Sequence, residues 1–309
     1  MIKNLGGAFM KNAKLTFLLR YAVIALLLIM FAVAQPVSSI VLANHDNQTR
    51  YYDNVLPDDL PDATYQGGQG QFIDDSYEVY YDELVISTDI YHPSVPSISI
   101  SNSTLNNTCA PLTGRNIISY YDRFYPELIP NYEPGLMHPV ANAYVYYPNR
   151  GLEATETLLT TLHTLMNSYD GTTSSEFKDG LEDYVNSKGR NVSYTSFYSS
   201  ATSVNFTALA NAISQNKVAM IMCGKYNYVG ALDNIESDSY VNVVKLNSLV
   251  GHMMMVYGYT VYDYYVDGVK TRTDTFLYVA SSYSSGHTGY VLLYDSDLVI
   301  NEAYIVNIS

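Results

Sequence analysis

Thiol chemistry asks two things of a sequence: a cysteine placed where its thiolate is favoured, and a base to take the proton. The chain holds only two cysteines, Cys109 and Cys223, and six histidines. Cys109 lies in NNTCAPLTGRNIISYYDR, where Thr108 can cap a helix whose first turn contains Cys109, Ala110 and Pro111. Proline is tolerated there because its missing N–H has no intrahelical role. A thiolate at that end lies near unpaired N–H groups and the positive end of the helix dipole, which lower its pKa. The same segment is compatible with a small core residue, or with half of a disulfide to Cys223.

Five of the histidines have ordinary settings. His45, His92 and His138 fall in loop-like stretches, His163 on a helix, and His287 after SSG. His252 differs because it opens the apolar run HMMMVYGY directly after Val250 and Gly251. At a strand mouth the backbone is held while the ring is presented, so His252 is the candidate base, with a satisfied core histidine as its plainer role. Cys223 ends the strand-like VAMIMC, where a buried thiol is the common outcome.

The elements that must position these residues follow from periodicity. Ile117, Ile118 and Tyr121 continue the Cys109 helix, and the small residues Ala110, Thr113 and Gly114 let it approach a sheet closely. Leucines 158, 159, 162 and 165 have helical spacing within 152–168. A further helix starts at Ser174 or Ser175 and finishes at Lys188 and Gly189. Residues 191–198 read as extended and 206–213 as helical. VAMIMC, VGHMMMVYGYTVYDYY, TFLYVASS and GYVLLYD then form apolar or alternating runs between turn signals, the pattern of an antiparallel, largely buried sheet. Helices first and strands afterwards predict an α+β domain. Before it, the acidic, turn-rich stretch up to Tyr91 reads as an arm with one or two short strands, such as 78–87, and SVPSISISNST as an extended approach to the Cys109 motif.

Charge narrows the partners. The net charge is -14, and with the four basic residues of the first 34 set aside, 12 basic residues face 30 acidic ones. Such a surface repels phosphate backbones, so nucleic-acid binding is not expected. The 32 tyrosines against 9 phenylalanines and no tryptophan suggest a wet, tyrosine-rich exterior. At the N-terminus, basic residues precede YAVIALLLIMFAVAQP, with Ala32 and Ala34 before Gln35. Residues 1–34 are read as an export signal, with a retained membrane anchor or a buried helix as alternatives. Either of the first two places the remainder outside a membrane, secreted or at the cell surface.

No CxxC pair, HExxH or compact His/Cys/Asp cluster is present, and GGQG lacks both GxGxxG and a Walker lysine. DYYVDG and DGTTSSE do not complete a calcium loop. No metal or cofactor is expected. The N-x-S/T matches at Asn47, Asn102, Asn106, Asn191, Asn205 and Asn307 are easily produced by a chain rich in these residues.

Cys109-Ala-Pro followed by a helix containing YYD, the Gly251-His252 strand ending in GY, and a later strand into SSY and GYV together resemble the papain-like cysteine peptidases, most closely the bacterial branch related to double-glycine leader peptidases. The similarity covers residues 99–309, leaving 35–98 as the arm. It implies a papain-like fold, with an N-terminal helical part carrying the cysteine and an antiparallel sheet carrying the histidine. It also implies amide hydrolysis through a thioester, with Cys109 as nucleophile and His252 as base, on a peptide or cell-wall peptide. At the position of the residue that orients the histidine stands Ser281, in place of the usual Asn or Asp; Asp263 and Asp274 substitute only if the hairpin folds back. At the position of the usual oxyanion glutamine stand Asn102, Ser103, Asn106 and Asn107, of which Asn107 or Asn106 can donate an amide. Those departures leave a catalytically inactive surface module, binding peptide or glycan, as the alternative. A third reading is a processing enzyme with one dedicated secreted partner.

Overall fold

A computed structural model of the chain describes residues 72–92, 95–96, 98, 105–140, 143–147, 150–233, 240–248, 251–281 and 289–309. The N-terminal apolar run, the arm up to residue 71, Asn102, Ser103 and His287 lie outside the described residues. Among the described residues no helix is long and apolar enough to cross a membrane.

Three strands open the described chain: β1 (Phe72–Asp74), β2 (Tyr77–Tyr80) and β3 (Glu83–Tyr91). Helix α1 (Cys109–Asp122) follows, then the hairpin β4 (Leu136–Val140) and β5 (Ala143–Tyr147), and the helices α2 (Leu152–Leu165) and α3 (Ser174–Ser187). After β6 (Val192–Ser196), β7 (Tyr198–Ser200), β8 (Ser203–Val204) and α4 (Phe206–Ser214) come the long strands β9 (Val218–Asp233), β10 (Tyr240–Ser248), β11 (His252–Val266) and β12 (Val269–Ala280), with β13 (Gly289–Leu292) and β14 (Val299–Ile308) last. The architecture is α+β, built on one large antiparallel sheet of order β1-β10-β9-β13-β12-β11-β3, with β2 also on β10 and β14 joining β9 to β6.

The apolar runs read from the sequence are uninterrupted because both sheet faces are covered. Along β9 and β11, Val218, Met220, Met253 and Met255 pack on the side of α1 and α2. Ala219, Ile221, Cys223, Met254 and Val256 pack on the other side, with Leu209, Ala212 and Ile213 of α4. Side chains alternate along a strand, so a strand covered twice needs apolar residues at every position. Gly114 brings α1 against α2: a Cβ there would sit 2.9 Å from Met166 Cε and 3.3 Å from Leu162 Cδ1.

The first strands close the sheet on itself. β2 pairs with the start of β10 (Tyr80 opposite Tyr240), while β3 pairs with the end of β11 (Glu83 opposite Tyr265). Only Tyr81 and Asp82 lie between β2 and β3, a link that spans less than about 12 Å. The two ends of the β10 to β11 stretch must therefore meet, and the sheet rolls into a barrel. At the seam Asp82 N–H donates to Tyr265 O at 3.0 Å, and the Tyr81 and Tyr264 rings lie 5.8 Å apart. Residues 72–91 thus belong to the sheet.

Two local expectations are corrected. Thr108 stands at the N-cap of α1 but makes no side-chain capping bond; its φ of -90° and ψ of -1° are already helical, and its carbonyl accepts Leu112 N–H at 2.8 Å. Many tyrosines lie inside the protein, including Tyr121, Tyr184, Tyr262, Tyr278 and Tyr290. Burial is possible where the hydroxyl finds an acceptor: Tyr121 donates to Val306 O and Tyr184 to Leu128 O, both at 2.7 Å, and Tyr278 to Asp89 at 2.8 Å.

Candidate functional site

Cys109 is the first residue of α1 and packs, partly buried, on the face of the sheet that carries Met253. Thr113, one turn on, donates its hydroxyl to Met253 O at 2.8 Å and fixes the helix against β11. Burial pushes the Cys109 thiol up, while hydrogen bonds from the backbone of Met253, Ala110 and Cys109 itself pull in the opposite direction. The helix N-terminus therefore acts on the sulfur as its position in the sequence suggests, but desolvation wins.

His252 begins β11 and is 5% exposed. Its Nε2 lies 3.2 Å from Ser281 O. A carbonyl only accepts, so Nε2 carries the hydrogen and Nδ1 is the basic nitrogen. The ring stacks on Tyr226 with centroids 5.1 Å apart and planes at 28°. Burial lowers the His252 pKa to about 4, against the smaller raising effect of the Ser281 carbonyl.

The structure joins His252 to Ser281, but through the main chain: the Ser281 hydroxyl points instead to Tyr228 Oη, 3.4 Å away. His252 lies directly across the ladder from Cys223 and so shares the face of Cys223 and Tyr226, whereas Cys109 packs on the face of Met253. Among the described residues no hydrogen bond joins Cys109 to His252. Cys223 is 1% exposed, its thiol pushed far up by burial, and neither cysteine forms a disulfide.

Asn107 adopts φ of 55° and donates its amide to Tyr169 O at 2.7 Å. Asn106 accepts at its carbonyl from His163 Nε2, 2.8 Å away. These two bonds clamp the approach to Cys109 onto the end of α2, a positioning role for His163 that its helical setting did not disclose. The hairpin does not fold Asp263 or Asp274 back toward His252. Asp263 bonds Lys270 and Thr273, and Asp274 bonds Arg272, at the far end of the β11 and β12 ladder.

Tyr226 is the residue the sequence reading missed. It is fully buried, stacked on His252, and within electrostatic reach of both thiols, since a charge on either would raise its own pKa further. Cys223 and Tyr226 share a face despite their odd separation because the register to β14 is irregular at Gly224. The glycine in CGKY was the available signal.

A buried neutral imidazole makes a pH prediction. The folded pKa is depressed, so the contribution is complete above the unfolded value of about 6.5 and is lost as pH falls toward 4. Between those limits the wild type is expected to lose about 3 kcal/mol more stability than His252→Gln. Urea unfolding of both at pH 7 and pH 4.5 checks this; parallel losses would show that the ring protonates freely in the fold.

A groove of 590 Å³ runs between α2 and α3, lined by Thr157, Thr161, Leu165, Tyr184 and Lys188, and includes neither Cys109 nor His252. Among the described residues no group of three or more His, Cys, Asp or Glu is arranged to hold a metal ion. Comparison with protein-family models finds no match. Comparison with curated proteins likewise finds none.

Proposed function

We propose that the chain is an exported thiol amide hydrolase of papain-like type, acting on a peptide or cell-wall peptide, with Cys109 as nucleophile and His252 as base. The observation that carries this reading is the seat of the thiol: Cys109 opens a buried helix and is hydrogen-bonded to the backbone of Met253, the residue next to His252. In the reaction Nδ1 of His252 takes the Cys109 proton, and the thiolate attacks the amide carbonyl while the N–H groups at the start of α1 face the developing oxyanion. The imidazolium then protonates the leaving amine, and water hydrolyses the thioester. For that transfer the ring must turn toward the α1 face, and Gly251, exposed and directly before it, is the place where the backbone can yield.

A second reading, a silent module that binds peptide or glycan, is favoured by one specific observation: the thiol and the imidazole are both held neutral by burial, on different faces of β11. Thiol reactivity separates the two. For the hydrolase, Cys109 is alkylated rapidly near pH 7, and His252→Ala slows it at least about tenfold. Alkylation that is slow below pH 9 and indifferent to His252 would leave the silent module.

A further inference from the structure

Away from Cys109, two distant points of the chain converge on Lys245 of β10. Its Nζ lies 2.6 Å from Asp295 Oδ2, beyond β13, and 2.6 Å from Asp75 Oδ2, between β1 and β2. The Lys245 side chain is 5% exposed and that of Asp295 10%, whereas Asp75 is 53% exposed. The backbone sets this approach: Asp75 N–H donates to Lys245 O at 3.0 Å, and Lys245 N–H to Ser76 Oγ at 3.2 Å. Asn247 Nδ2 donates to Asp75 Oδ2 at 3.2 Å and to Asp297 Oδ2 at 3.1 Å, and Asp297 N–H donates to Asp295 Oδ1 at 2.8 Å. The Tyr77 ring stands 5.8 Å from Nζ.

An amine and a carboxyl held in contact and shielded from water are the reactants of an amide condensation, and a second, half-exposed carboxylate, Asp75, is within proton-transfer distance of the same Nζ. We propose that Lys245 and Asp295 become joined by an intramolecular isopeptide bond, with Asp75 as proton relay. The resting state is the ion pair: burial opposes the lysine charge, but the hydrogen bonds to Asp295 and Asp75 outweigh it and raise its pKa. The reacting state is a minor one, and the product accumulates because it does not readily revert.

A first proton passes from Nζ through Asp75 to Asp295 Oδ2, leaving a neutral amine beside a neutral carboxyl. The Nζ lone pair forms a bond to Cγ, and charge builds on Oδ1, where Asp297 N–H already donates. A second Nζ proton follows the same route to Oδ2, the Cγ–Oδ2 bond breaks, and one water leaves. Asp75 ends as it began, no electrons are exchanged, and the amide keeps the third proton. Confinement supplies an effective molarity of about 10⁵ M or more, far above the roughly 55 M of bulk water.

Mass spectrometry of the purified, denatured full chain tests this directly. The wild type is expected about 18 Da, one water, below the mass of its sequence. Trypsin is expected to spare the bond after Lys245 and release a branched peptide containing Lys245 and Asp295. Asp295→Ala and Lys245→Met are expected at full mass, and Asp75→Ala to leave most of the chain uncrosslinked. A wild type of full mass, cut by trypsin after Lys245, would show an ion pair only and overturn the proposal.

Discussion

Under the proposed hydrolase function, Cys109→Ala is expected to take amide hydrolysis down by about 10⁴-fold or more, to the level of a site without its nucleophile. Loss on that scale separates a nucleophile from a residue that merely packs. Alanine suits the first turn of a helix, and Cys109 is only partly buried, so cooperative unfolding should be nearly unchanged. Cys223→Ala is the control: it removes a buried sulfur across the ladder from His252 and is expected to cost about 1 kcal/mol while leaving turnover in place. Rates on a panel of peptide amides, with thermal melts of each variant, give both numbers. Turnover that survives Cys109→Ala would end the hydrolase proposal.

Arg115→Ala is expected to lower the unfolding free energy by about 3–5 kcal/mol. Arg115 is completely buried on α1, with Nη1 3.0 Å from Glu156 Oε1 of α2 and Nη2 donating to Ile98 O at 2.7 Å. Asn116, beside it, accepts Ile98 N–H at 3.0 Å, so two adjacent polar residues hold Ile98 by both of its backbone groups. Burial lowers the Arg115 pKa to about 10, which still leaves it charged at neutral pH. Removing it strands a buried carbonyl and leaves an internal void, and both terms act in the same direction. Lysine is not a substitute, because it lacks the planar fork that reaches Glu156 and Ile98 together. Arg115→Met fills the space without the bonds and should fall between wild type and alanine. Urea denaturation decides, and a loss below about 1 kcal/mol for alanine would mean that water replaces the guanidinium.

Legibility followed the range of the interaction. The start of α1 at Cys109 and the start of β11 at His252 follow local signals of proline placement and apolar runs, and each stands where the sequence puts it; VAMIMC opens β9, but that strand does not end at Cys223 and continues through NYVG to Asp233. Helix α2 stops at Leu165, short of the expected 168, because Asn167 turns to φ of 49° and Ser168 N–H reaches back to His163 O. The partner of the His252 ring was not legible in the same way. Sequence reasoning looks for a side chain at 281, but the ring is met by a carbonyl that any residue there would supply. The barrel seam was hidden too, since nothing in 72–91 announces that β2 and β3 bind opposite ends of a stretch more than 150 residues later.

By itself the sequence determined where α1 and β11 begin, that the apolar runs would form an antiparallel, largely buried sheet, and that one cysteine and one histidine would stand at element ends. Those are matters of local conformation and period. Only the tertiary structure decided which face each of them occupies. A side chain's face depends on register, and register here turns on the irregularity at Gly224, which sets Tyr226 beside His252, and on the ladder that puts Cys223, not Cys109, opposite the ring. Hydrogen bonds between strands far apart in the chain select that register.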